Sequence, residues 1–170
     1  MAALAIHALS EDKAEAYEDV HRQIRGLLAG ENNLIARYAS IAALLAQGFG
    51  ERFLWTGFYL VDETRAPDLP GELIVGPYQG TLGCLRIPFG KGVCGDAAKE
   101  ARTIIVADVH AYPGHITCDG RSNSEIVVPV LDAQGRLRAV LDIDSAQKNA
   151  FDAEDQAGLE AIVADIFGYA

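Results

Sequence analysis

The stretch HITCDGRSN, residues 115–123, places one cysteine, Cys118, among polar residues that follow neither helical nor strand periodicity. A packing cysteine sits in an apolar run and is inert, whereas a thiol in a polar loop is available for chemistry. With Cys84 and Cys94 the chain has three cysteines, an odd number without CxxC spacing. That is too few for a disulfide scaffold, so in a reducing compartment they read as packing, metal or redox residues.

Acids supply a second chemistry. In LDIDS, Asp142 and Asp144 are two residues apart, so in a strand they share a face, about 7 Å apart at a rise of about 3.4 Å per residue. The plain alternative is the solvated outer face of an edge strand. Against it stands Glu125, which heads the preceding apolar segment SEIVVPV shortly after Cys118. A hairpin between the two segments makes all three carboxyls candidates to line one cavity. Gathered there they repel, which raises the pKa of at least one, and together they attract an ammonium. Such a site binds an amine and keeps a proton at hand.

Trp55, Gly57 and Tyr59 in WTGFYL also share a strand face. The missing side chain at Gly57 would leave a gap between two aromatic walls, unless the group is only core packing. GKGVCG spells G-x-G-x-x-G through Gly90, Gly92 and Gly95, with Asp108 further on. Arg86 and Pro88 in the preceding segment, a very short following helix and the lack of βαβ alternation argue against a nucleotide site and for a turn that brings Cys94 near a pocket. His110 and His115 flank the cysteine loop, but His115-x-x-Cys118 lacks a fourth ligand at metal-site spacing, so neither metal nor cofactor is expected.

Positioning these residues requires a sheet. Ser10 is expected to cap a helix with Glu11 and Asp12 in its first turn and Tyr17, Val20, Ile24, Leu27 and Leu28 inward. A second helix should run from Asn33, with Leu34, Tyr38, Ile41 and Leu45 on one face, to Gly48. RFLWTGFYLVD is apolar on both alternating faces, as in a strand covered on both sides. Further strands are expected at ELIVGPY, LGCLRIPF, TIIVADV, EIVVPVLD and LRAVLDIDS, the last two joined through AQG, with a short helix from Val93 to Glu100 and a surface loop at ETRAPDLPG. Asp152 can cap a closing helix carrying Leu159, Ile162, Val163 and Ile166. Helices at both ends of a block of sequential strands make an α+β fold with an antiparallel sheet.

The chain's 170 residues, 50% hydrophobic and 22% charged, suit one domain with a real core. A net charge of −10 and the absence of a basic cluster exclude an electrostatic track for nucleic acid or anionic membrane. The opening MAALAIHALS lacks a basic region and is too short for a leader or a span, which points to the cytoplasm.

Taken together, WTGFYL, PYQGTLGCLRIPFGKGVCG, HITCDGRSNSEIVVP and LDIDS resemble the free methionine-(R)-sulfoxide reductases, a GAF-domain family. The resemblance covers about two thirds of the chain and implies a cytoplasmic enzyme that converts free L-methionine (R)-sulfoxide to methionine and is re-reduced by thioredoxin. It implies that Cys118 is the nucleophile, Cys84 the resolving cysteine and Cys94 a third cysteine able to serve as an alternative disulfide partner. Glu125, Asp142 and Asp144 match acidic substrate-binding residues, of which Glu125 or Asp144 would be the acid, and Trp55 and Tyr59 match the aromatic wall near the substrate methyl. It further implies a GAF fold of about six antiparallel strands in a homodimer. Over 1–170 this is one domain, with N-terminal helices in 1–50, sheet and active-site loops in 51–149 and a C-terminal helix in 150–170. Gly120 and Arg121 depart from the family pattern, which bears on how the cysteine loop closes. A GAF module that senses a small amine or oxidant without turnover is the alternative reading, and a zinc-dependent hydrolase a third.

Overall fold

In the computed structural model the described residues are 8–66, 68–69 and 71–168. Residues 1–7 of the opening segment, Pro67 and Pro70 of the ETRAPDLPG loop, and the last two residues of the closing helix expected over 150–170 lie outside them. In chain order the elements are α1 (Lys13–Leu27), α2 (Leu34–Phe49), β1 (Trp55–Val61), β2 (Glu72–Gln79), β3 (Arg86–Pro88), α3 (Gly92–Glu100), β4 (Ile104–Val106), β5 (Ser124–Leu131), β6 (Leu137–Ser145) and α4 (Ala153–Phe167). The strands form one six-stranded sheet in the order β3-β2-β1-β6-β5-β4, with every neighbouring pair antiparallel.

Both faces of the sheet are covered, as the apolar run through β1 predicts. On one face Phe58, Ile126, Val128, Leu141 and Ile143 pack with the apolar stripes of α1, α2 and α4. On the other, Trp55, Tyr59, Leu73, Val127 and Val140 meet α3 and the loops around it. The side chains named on the first face are buried. The second holds the acids.

Several local expectations shift. Asp12, not Ser10, caps α1 by accepting from the Glu15 N–H, while the Ser10 hydroxyl is spent on the Glu15 carboxylate. The second helix runs past Gly48 and stops at Gly50, whose φ of 55° turns the chain out of the helix at a conformation that disfavours a side chain. Leu34, expected inward, lies at the first turn and is 37% exposed. Of LGCLRIPF only Arg86–Pro88 is strand, because Leu82 and Leu85 have no core to face and are 82% and 76% exposed. The closing helix does begin at Asp152, which forms a reciprocal capping box with Asp155.

Candidate active site

The edge-strand alternative for Asp142 and Asp144 fails on register. β6 lies inside the sheet between β1 and β5, so its acids face a covered surface rather than water. Asp144 stands between Trp55 and Glu125 in one row, and Asp142 between Gly57 and Val127 in the next. Period-two alternation on three adjacent strands therefore brings the aromatic wall and three carboxyls onto one face.

They line a cavity with an open volume of about 30 Å³, together with Cys118 and Cys94. Cys84 is tied to the wall through Cys118: a disulfide joins the two, with their Cα atoms 5.6 Å apart. That bond ties the loop after β2 to the loop before β5, which Thr81 also links by donating to Asp119 at 2.6 Å. Arg121 folds onto the same Asp119 at 2.7 Å, so its charge is spent within its own loop. On the aromatic side, Trp55 Nε1 donates to the Thr81 carbonyl at 3.0 Å and the Tyr59 hydroxyl meets the Cys84 backbone, which together hold the Cys84 loop over the site.

The expected gap at Gly57 is not open. A Cβ there would come within 2.7 Å of the Trp55 ring and 2.3 Å of Tyr78 Cβ, so the tryptophan lies across its own strand neighbour. The absent side chain makes room for the indole, which stacks between Tyr59 and Tyr78 at centroid distances of 5.6 and 5.1 Å.

Burial dominates the electrostatics. It is the main force pushing Glu125 well above its ordinary pKa, with the Asp144 charge adding to it. Asp142 is pushed up in the same way, by burial and then by Glu125 and Asp144, and its Oδ1 has no hydrogen-bond partner. Asp144 is lifted by burial to about 6, against the Ser122 hydroxyl donating to it and the nearby His115. Cys94, 3.8 Å from Glu125 Oε1, is held as a neutral thiol by burial and by the two acids beside it.

Sequence reasoning missed Ser122 and the position of His115, whose Nε2 is 3.7 Å from Glu125 Oε2. Both lie within three residues of Cys118 or Glu125, so their proximity in the chain was the available signal. Lys91 and the first turn of α3 form another part of the wall, which GKGVCG indicated only as a turn near a pocket.

Comparison with known proteins settles the family. The GAF domain family model matches residues 38–166. The chain is 40% identical to the free methionine-R-sulfoxide reductase of Escherichia coli over 91% of its length and 88% of that protein's. The crystal structure of the Neisseria meningitidis free methionine-R-sulfoxide reductase in complex with its substrate superposes with a TM-score of 0.85 at 45% identity, covering 94% of this chain and 90% of that one.

The chain belongs to the free methionine-R-sulfoxide reductase family of GAF domains. A further relative, GAF domain-containing protein A of Dictyostelium discoideum, is 47% identical over 89% of the chain and 90% of its own length. The family's GAF architecture, helices flanking a six-stranded antiparallel sheet, is the one described above. Among the described residues no helix is long and apolar enough to cross a membrane.

Proposed function

We propose that this protein, acting as one domain over residues 1–170, reduces free L-methionine (R)-sulfoxide to methionine. The observation that carries the reading is the Cys84–Cys118 disulfide at the wall of a cavity whose other side is Glu125, Asp142 and Asp144. Membership of the reductase family and the substrate complex of the Neisseria meningitidis relative support it.

The substrate's ammonium pairs with the buried acids, where Asp142 Oδ1 lacks a partner. Its carboxylate faces Lys91 and the N–H groups at the start of α3, which no side chain caps. The sulfoxide methyl rests against the aromatic pair Trp55 and Tyr59. Three contacts of different chemistry are enough to separate R from S at sulfur, and the demand for a free ammonium rejects methionine within a peptide chain.

A sulfoxide sulfur becomes a good electrophile only when its oxygen is protonated. Asp144 is the proposed acid, because a carboxyl lifted to about 6 can give up and regain a proton in each turnover. The Cys118 thiolate attacks the sulfur, methionine leaves, and the oxygen remains on Cys118 as a sulfenic acid. The Cys84 thiol then displaces it as water, which forms the disulfide. Two electrons from a thioredoxin-type dithiol restore both thiols. Cys94, buried and neutral, is poorly suited to act as the first resolving thiol. A homodimer in the cytoplasm completes the proposal.

The test is turnover of free methionine (R)-sulfoxide with dithiothreitol by the wild type and Cys118→Ser. Methionine release by the wild type, lost in the variant, is expected. A wild type as inactive as the variant overturns the reading and leaves a sensor module.

A further inference from the structure

The sequence offered His115-x-x-Cys118 as a zinc pattern, but Cys118 is held in the disulfide and is not available as a ligand. The fold assembles a different donor set deeper in the cavity. One ligand atom each from Cys94, Glu125 and Asp142 lies within 4.8 Å of the others, and all three residues are buried. His115 Nε2 adds an imidazole 3.7 Å from the second Glu125 oxygen. One soft sulfur beside two hard carboxylates, with an imidazole near one of them, is a mixed donor set open to a zinc-class ion, whereas calcium and magnesium take oxygen ligands throughout.

An acidic cluster alone would say little. Here Asp142, 6% exposed, leaves its Oδ1 without a hydrogen-bond partner while lining the cavity. A buried carboxyl oxygen without a donor is costly unless a cation or a donor comes to it, and a metal ion would bind there by displacing the acid's proton. The cavity beside it has space for an ion.

We propose that Cys94, Glu125 and Asp142 form an inhibitory three-ligand binding site for a zinc-class divalent cation, with His115 beside Glu125 at its edge. Given the ammonium placement of the preceding subsection, on which this clause rests, cation and substrate exclude each other. Zinc would then block the enzyme without touching the Cys84–Cys118 pair.

Cobalt(II) is the probe, because a cobalt–thiolate bond gives a charge-transfer absorption that surface histidines and carboxylates do not. The disulfide-bonded protein is used first, since Cys94 is its one free thiol. Cys84→Ser/Cys118→Ser serves as a second background in which the loops are not tied. A thiolate band titrating to one cobalt per chain in either background is expected, displaced by zinc and absent after Cys94→Ser. Asp142→Asn, nearly isosteric, should weaken binding by about tenfold or more. No band in both backgrounds, or an affinity unchanged by Asp142→Asn, overturns the site. In the untied background, methionine should displace the cobalt. A band that persists in excess methionine overturns the inhibitory role together with the ammonium placement it rests on, and leaves a cation site that does not compete with substrate.

Discussion

Asp144 shows how one buried side chain links stability to chemistry. Its folded pKa of about 6 stands above the ordinary 3.8, so the folded protein holds a proton that the unfolded chain has lost between those values. The contribution to stability is therefore full below about 3.8, declines as pH rises to about 6, and stays lost above it. Asp144→Asn removes that decline. The variant should melt about 6–12 °C above the wild type at pH 8, from about 3 kcal/mol at about 2–4 °C per kcal/mol, with the gap closing as the buffer approaches pH 4. Parallel melting curves read it, and a gap that is independent of pH would show that Asp144 is not held protonated. The same substitution should lower turnover steeply, a trade of activity against stability expected where like charges are gathered for a purpose.

At the scale of elements, β1 is the piece on which the site is hung. Its alternation sends Phe58 into the helical core and Trp55 and Tyr59 over the cavity, and Gly57 lets the indole lie flat across the strand. A methyl at that position would meet Tyr78 Cα at 2.9 Å and Cβ at 2.3 Å, backbone and strand-fixed atoms that cannot step aside. Gly57→Ala should cost about 1–3 kcal/mol in chemical denaturation and displace Trp55, visible as a change in tryptophan fluorescence. With a single tryptophan in the chain, that signal has one source. The periodicity of this strand was legible in the sequence; the filling of its gap was not, because Tyr78 comes from β2 and its register is set by pairing rather than by local pattern.

At the scale of the whole molecule, the helices that close the opposite face are tied together at Asp155 of α4. It is fully buried and accepts from Tyr17 at 2.8 Å, Lys13 at 3.1 Å and Arg52 at 2.5 Å, which joins α1, α4 and the turn before β1. Asp155→Ala strands the buried Tyr17 hydroxyl, leaves Lys13 and Arg52 only Asp152 and the Ala150 carbonyl, and breaks the capping box of α4. A loss of about 3 kcal/mol or more is expected in urea unfolding, with the rate per folded molecule kept because the network lies on the other side of the sheet from the cavity. An equal fall in specific activity would show that the helical layer and the site are coupled.

The sequence by itself determined what depends on local order: a cysteine in a polar loop, two aspartates on one strand face, the cap at Asp152, the α+β succession and the family motifs. These follow from periodicity and side-chain chemistry within a few residues. Only the tertiary structure decided that β6 is interior and that Cys94 joins two acids in the interior, and it carries the Cys84–Cys118 pairing that the family motifs implied. Those outcomes depend on which strands become neighbours and which loops meet across the sheet. Such pairings are set by burial summed over the whole chain, and no single stretch of sequence carries them.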